Sequence, residues 1–343
     1  MKALVYFQPG NKYDNYEGAR MRKTIKGALE VVDMQYTSNI YDEYDVAHFL
    51  SPDDESKMSL VLERGVPCVV SALFGEDDPS VSFLKYRRDK DGKRITTLRN
   101  RSLRMLNKAT LVLVPSESAK RYLIENKVET PIEVCPPGVN LARFNFSRDD
   151  EKELFYRYFR EDKNKKIVLA VGEYDNLGGI HAFINAALKR DDTVFYYVGH
   201  ESKAAKSSKV KKIIKEAPKN VRFKFILPDD IYRSLLLNAD VFMLPGYNLA
   251  GMISVEEAMA AKCQLIVRKS SVLAGMLKNE STAYIAEFSE TLTSLVLEYL
   301  NGDVQPTIQE AYNQVSANSL KNFGEKLINI YKSIINNKKR GEN

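Results

Sequence analysis

Histidine and cysteine are scarce in this chain of 343 residues, and the scarcity excludes several chemistries. The three histidines, His48, His181 and His200, sit at spacings that match no metal-ligand motif, so no metal is expected. The three cysteines, Cys68, Cys135 and Cys263, are odd in number and far apart, which implies reduced thiols rather than a disulfide framework. No run of about 20 apolar residues occurs, so no segment is expected to span a membrane. The opening MKALVYFQPG is apolar only briefly before Pro9-Gly10 and does not read as a signal peptide. Together these absences point to a cytoplasmic protein body.

The bulk numbers are those of an ordinary globular protein, 44% hydrophobic and 28% charged. The length exceeds what one core comfortably serves, so two domains are expected. The net charge of +6 is concentrated. Between residues 85 and 108 ten lysines and arginines stand against Asp89 and Asp91, so this segment alone is +8. From Thr97 onward Leu98, Leu103 and Leu106 alternate with Arg99, Arg101 and Arg104, which reads as an amphipathic helix with a cationic face. Such a face is either simply solvated or lies on an anionic membrane surface. Nucleic acid is not expected, because no stacking aromatics are interleaved with the cations.

Short apolar runs alternate with helical stretches through both halves. Ala3–Phe7, Val46–Leu50, Pro67–Ser71, Thr110–Val114 and Ile132–Val134 are strand candidates in the first half. Residues 20–31 and the stretch opened by Ser116 read as helices. After a charged stretch at 146–166, a second series begins with Ile167–Val171 and a turn bearing Gly172, Gly178 and Gly179. It continues with Val194–Val198, a basic helix near 206–216, a short strand at 221–226, a helix at 229–238, Asp240–Leu244 and Gln264–Val267. Continuous apolar runs of this kind belong to parallel sheets covered on both faces. The expected fold class is α/β: two Rossmann-like doubly wound domains facing across a cleft, with ligands at the carboxyl ends of the strands. Their expected limits are 1–146 and 147–316, followed by a C-terminal helix at 317–343. Its core stripe is Leu320, Phe323, Leu327, Ile330, Tyr331 and Ile334, within an amphipathic helix read at 314–336, and Lys338-Lys339-Arg340 forms a frayed end.

Several motifs together resemble the family 4 retaining glycosyltransferases of the GT-B fold. They are Pro136-Pro-Gly-Val-Asn-Leu-Ala-Arg-Phe144, Val168-Leu-Ala-Val-Gly172, and Ala239-Asp-Val-Phe-Met-Leu-Pro245 followed by Glu257-Ala-Met-Ala260. The stretch Glu17–Arg22, with Gly18, resembles the loop-to-helix start of bacterial glycoglycerolipid synthases in that family. The resemblance implies a nucleotide-sugar donor, UDP-glucose or UDP-galactose, and a glycerolipid or other membrane acceptor. It also implies a first domain for the acceptor, a second for the donor, and a last helix returning to the first. No cofactor is expected beyond the donor itself. Donor contacts are expected from Gly18, Gly172, Glu173, Gly178, Gly199, Asn248, Gly251, Met252, Ile253 and Glu257, with Glu257 on the nucleotide ribose. Acceptor or membrane contacts are expected from Arg20, Arg22, Arg99, Arg101 and Arg104.

The chain departs from the family pattern where the chemistry is most demanding. The family places an arginine after the Val-Gly and a lysine before a later Gly-Ile, to neutralise the leaving diphosphate. Here Glu173 and Gly178 stand there. The family pairs two glutamates eight apart; Leu249, beside Asn248, stands where the first would be. No histidine follows Cys68–Ser71; the chain reads Ala72-Leu-Phe-Gly-Glu-Asp-Asp78 instead, with Glu76, Asp77 and Asp78 as structural or acceptor carboxylates. Catalytic residues are therefore left unassigned. Three readings follow. The first is an active transferase whose cations come from elsewhere, such as Arg20, Arg22, Lys262 or the basic segment, with help from backbone N–H groups. The second is a degenerate relative that binds a nucleotide sugar or a protein partner, and the third an unrelated nucleotide-binding protein. In the stretch LPGYNLAGMISVEEAMAAK, residues 244–262, Glu256 and Glu257 are read in the first turn of a helix, Glu256 as a solvated anion. His48 is read as structural, His181 and His200 as surface residues.

Overall fold

The computed structural model describes residues 1–7, 17–73, 82–88, 94–144, 149–173, 179–200, 208–225, 227–246, 252–270 and 273–341. The chain divides into two compact units. One comprises Met1–Val139, Ser271–Gly275 and Asn318–Asn343, the other Asn140–Ser270 and Met276–Ala317.

The first unit alternates strand and helix: β1 (Lys2–Tyr6), α1 (Glu17–Val31), β2 (Gln35–Thr37), β3 (Val46–Phe49), α2 (Glu55–Glu63) and β4 (Cys68–Ser71). A hairpin of β5 (Ser82–Arg88) and β6 (Arg94–Leu98) intervenes before α3 (Asn100–Lys108), β7 (Leu111–Val114), α4 (Glu117–Glu125) and β8 (Ile132–Val134). Six strands form one parallel sheet in the order β2-β1-β3-β4-β7-β8. Every residue of β3, β4 and β7 is buried, which is why these segments read as unbroken apolar runs. The helices start where side chains can satisfy free N–H groups. The Asp54 carboxylate accepts from Lys57 N–H ahead of α2, and the Ser116 hydroxyl from Ala119 N–H ahead of α4.

The second unit holds α5 (Asp149–Phe159), β9 (Lys166–Glu173), α6 (Ile180–Ala187), β10 (Thr193–His200), α7 (Ser208–Lys215), β11 (Val221–Lys224) and α8 (Asp229–Asn238). It continues with β12 (Val241–Leu244), α9 (Met252–Ala260), β13 (Gln264–Arg268), β14 (Tyr284–Ala286), α10 (Ser289–Asn301) and α11 (Ile308–Ser316). Its sheet is again six parallel strands, ordered β11-β10-β9-β12-β13-β14. On one face Phe183 of α6 packs edge-on against Phe195 and Tyr197 of β10.

The last helix, α12 (Leu320–Gly341), belongs to the first unit. It lies so close to α1 that a Cβ at Gly324 would stand 2.3 Å from the Ala28 carbonyl oxygen. Leu320, Phe323, Leu327, Ile330, Tyr331 and Ile334 are all buried.

Three readings of the sequence are corrected here. The basic segment is not one helix from Thr97. Its first part is the antiparallel hairpin, in which Leu84 pairs with Thr96 and Ser82 with Leu98, and the helix begins only at Asn100. The tail stretch 314–336 is two helices. Between them Val139 N–H donates to the Asn318 carbonyl and Leu320 N–H to the Val139 carbonyl, so the backbone there is committed to another segment. Lys338–Arg340 does not lie beyond the last helix either, because α12 runs on to Gly341.

Candidate functional site

In parallel sheets of this kind ligands bind beyond the carboxyl ends of the strands. At that edge of the second unit's sheet two glycines permit close backbone approach. Gly199 of β10 lies beside Gly172 of β9, and a Cβ on it would fall 1.7 Å from the Gly172 carbonyl oxygen. Gly179, just ahead of α6, has φ +76°, and a Cβ there would meet the Pro245 carbonyl oxygen at 2.2 Å. Gly179 and Pro245 are therefore pressed together, which any side chain at 179 would prevent.

Helix α9 is the next element after β12. It begins at Met252, so Glu256 and Glu257 occupy its second turn rather than its first. The reading of Glu256 as a solvated anion is also corrected, since it is 3% exposed. All nine residues of α9 are buried, Met252, Ile253 and Glu257 included. A carboxylate taken out of water needs a compensating charge or donor. Glu257 has one in Arg143, whose Nη1 is 3.4 Å from Glu257 Oε1. Nη2 of the same guanidinium donates to Asp229 Oδ1 at 2.7 Å, at the start of α8. Arg143 closes the short helical turn Leu141–Arg143 and stacks 5.4 Å from the Phe144 ring. It lies inside a motif quoted above, yet sequence reasoning assigned it no role.

Other expected site residues fall as follows. Gly178, Asn248 and Gly251 lie outside the described residues, as do Glu76, Asp77 and Asp78. Glu173 ends β9, in register with His200; of both, only the backbone is described. Gly18 is in the first turn of α1. Arg20 and Arg22 on the same helix are half-buried, and the Arg22 guanidinium lies 5.7 Å from the centre of the Phe7 ring. Lys262 sits over the Tyr312 ring at 4.6 Å.

The basic surface of the first unit is partly neutralised from within. Arg104 of α3 forms two hydrogen bonds to Glu55, Nε to Oε1 at 3.0 Å and Nη2 to Oε2 at 2.8 Å. Lys108 reaches the same carboxylate at 3.3 Å. The Arg104 hydrogen bond, with Lys108 beside it, pulls the Glu55 carboxyl down to about 2. Burial raises the pKa of Asp53, an effect that the Arg101 charge partly offsets. His48, by contrast, is enclosed: Nδ1 is 2.7 Å from the Tyr331 hydroxyl and Nε2 2.7 Å from the Ser71 hydroxyl. Burial lowers its pKa to about 3, so it is a neutral, fully bonded core residue.

With this geometry in view, two family models match the chain. "Glycosyltransferase Family 4" covers residues 21–143 and "Glycosyl transferases group 1" covers residues 152–321, most of the chain between them. Both models describe glycosyltransferases, the first part of the chain matching family 4 and the second group 1, and the chain is a glycosyltransferase by these matches. It is 25% identical over 339 residues to the processive diacylglycerol alpha-glucosyltransferase of Acholeplasma laidlawii, covering 98% of this chain and 99% of that one. The alpha-galactosylglucosyldiacylglycerol synthase of Streptococcus pneumoniae is 24% identical over 165 residues, 47% of this chain and 43% of its own length. Among solved structures, Anabaena Alr3699/HepE in complex with UDP and glucose superimposes with a TM-score of 0.73 at 13% identity. That match covers 97% of this glycosyltransferase and 100% of the Anabaena chain. The fold class is GT-B, two Rossmann-like domains.

Proposed function

We propose that this glycosyltransferase moves a hexose from UDP-glucose or UDP-galactose to a diacylglycerol-type glycerolipid, acting peripherally on the inner face of the cell membrane. The observation that carries the reading is the end-to-end likeness to the Acholeplasma enzyme, which is named for transfer to diacylglycerol. An alpha-linked product from an alpha-linked nucleotide sugar means retention of configuration at the sugar carbon. In this reading Glu257, buried on α9, accepts hydrogen bonds from the donor ribose. The close backbone approaches at Gly172–Gly199 and Gly179–Pro245 give the nucleotide a tightly packed floor at this end of the sheet. The leaving diphosphate gains negative charge as the glycosyl bond breaks, and free N–H groups at the start of α6 help to meet it. No metal is required by this scheme. The cations of α3 draw the protein to an anionic bilayer that contains the acceptor.

A second reading is favoured by one specific feature. Glu173 stands where relatives place the diphosphate-binding arginine, and an anion there opposes the transition state. The protein would then be a degenerate homologue that binds nucleotide sugar or a protein partner without turning over.

One experiment separates the two. The purified protein is incubated with labelled UDP-glucose and UDP-galactose and with vesicles containing diacylglycerol or monoglucosyldiacylglycerol, while donor binding is measured by calorimetry. Labelled glycolipid is the expected result. Donor binding without any transfer supports the degenerate reading, and absence of both defeats the donor assignment.

A further inference from the structure

We infer that Arg268 is a positioning residue of the donor site, bracing the backbone at the carboxyl edge of the second unit's sheet where the nucleotide rests. The inference depends on the reading that UDP binds at that edge. Its basis is where a buried guanidinium sends its hydrogen bonds. Arg268 is the last residue of β13 and is 1% exposed. Nε donates to the Pro245 carbonyl at 3.2 Å, Nη1 to the Glu287 carbonyl at 2.9 Å and Nη2 to the Ser289 hydroxyl at 2.5 Å. Pro245 directly follows β12, Glu287 directly follows β14, and Ser289 opens α10.

One side chain therefore gathers the exits of three neighbouring strands, β12, β13 and β14. The Pro245 carbonyl is also the group that crowds Gly179, where a Cβ would stand 2.2 Å from its oxygen. The brace thus runs from β13 through Pro245 to the start of α6, whose N–H groups help to meet the diphosphate in the proposed scheme. A planar guanidinium carries five donors in a rigid fork and can hold acceptors on several segments at fixed separations; a lysine ammonium is a single point. The far end of the same strand supplies a contrast. There Gln264, 0% exposed, donates from Nε2 to the Thr307 hydroxyl at 2.8 Å and accepts at Oε1 from the Thr307 N–H at 2.9 Å. A neutral amide suffices to tie the structure at that end. Withdrawing a guanidinium from water costs more than withdrawing an amide, and buried ionic groups can often be replaced by apolar ones without loss of stability. A charge kept at the ligand edge answers a demand for defined placement more than one for stability.

The test compares Arg268→Met with Gln264→Leu in the full-length protein, at a temperature where circular dichroism shows both folded. UDP calorimetry and donor KM and kcat are the readouts. Arg268→Met is expected to raise the UDP Kd about tenfold and to lower kcat by a larger factor than it raises KM, because a displaced diphosphate loses its alignment in the transition state. Gln264→Leu lowers stability but leaves UDP Kd and kcat within about twofold of the wild type. Arg268→Lys recovers part of the affinity, and Ser289→Ala, which removes one arm, raises Kd by about twofold to threefold. UDP affinity decides the inference even if the wild type transfers no sugar. Unchanged UDP binding in folded Arg268→Met, or equal shifts in Arg268→Met and Gln264→Leu, overturns the positioning role, while binding of UDP by the wild type keeps the donor reading intact. A wild type that binds no UDP removes the donor reading and the inference with it. Should Arg268→Met fail to fold, Arg268→Lys and Ser289→Ala carry the same comparison, and unchanged UDP binding in both overturns the inference.

Discussion

His48 in the first unit and Glu257 in the second are both titratable and both almost wholly withdrawn from water, at 0% and 6% exposure. They differ in the kind of partner that meets them, neutral hydroxyls in one case and a guanidinium in the other. Each ring nitrogen of His48 has a hydroxyl partner at 2.7 Å, one from β4 and one from α12. A neutral imidazole offers one donor and one acceptor, so nothing is left over. Glu257 is met by Arg143 at 3.4 Å. Burial alone therefore does not mark a site. A buried neutral ring closed off by two hydroxyls stabilises the fold, whereas a buried carboxylate keeps its charge only beside a counter-charge such as Arg143, and a charge kept in this way is one a ligand can use.

The largest effect expected from this contrast is on stability. His48→Ala leaves the Ser71 and Tyr331 hydroxyls without their partner and opens a cavity, at a cost of about 2–4 kcal/mol. Denaturant titration measures it. UDP affinity of the folded fraction should not change, and a large loss of affinity would break the contrast by giving His48 a role at the donor.

Glu257→Ala should behave in the opposite sense. UDP affinity falls by about 1–3 kcal/mol, the usual worth of a charged hydrogen bond, when followed by calorimetry. Unchanged affinity would place Glu257 with His48 as a structural group.

The pH dependence sharpens the same comparison. The folded-state pKa of His48 is lowered from 6.5 to about 3, so between these values the unfolded chain binds a proton that the native state does not. Stability contributed by the neutral ring is fully present above pH 6.5 and is lost as pH falls from there towards 3. The slope reaches at most about 1.4 kcal/mol per pH unit. Denaturation midpoints at pH 7 and pH 5 test this, and His48→Gln should flatten the difference.

How much of this was legible beforehand depended on whether the signal was local. The parallel sheets were, because strands buried on both faces, such as Leu111–Val114 and Val241–Leu244, are apolar throughout. Helix α5 was hidden in a charged stretch, although Phe155, 0% exposed, anchors it against Tyr196. The hairpin before α3 was obscured by its own basic residues. Glu256 was misread because two adjacent carboxylates suggested a helix start, while the backbone begins the helix at Met252, four residues earlier. The Arg143–Glu257 contact joins positions 114 residues apart, and no local pattern announces such a pair.

The smallest effect concerns charges that are neither buried nor spare. Arg104 and Lys108 are at the surface of α3, yet both are engaged with Glu55. An anionic lipid headgroup must compete with that carboxylate for the same two cations. Glu55→Gln removes the competitor without altering the shape of the side chain, so binding to anionic vesicles should rise, by about twofold to fivefold at low salt. Surface ion pairs contribute little to folding, so the thermal midpoint should scarcely move. The gain should shrink as ionic strength increases, since the Debye length is about 8 Å at physiological salt. Changing Arg99, Arg101 and Arg104 together to serine should act in the other direction and leave little difference between anionic and neutral vesicles. If Glu55→Gln leaves vesicle binding unchanged while the triple change still abolishes it, the membrane is met through Arg99 and Arg101, and the Glu55 pairs serve only to join α2 to α3. If neither change has an effect, α3 is a solvated face, and the acceptor must be reached through another surface.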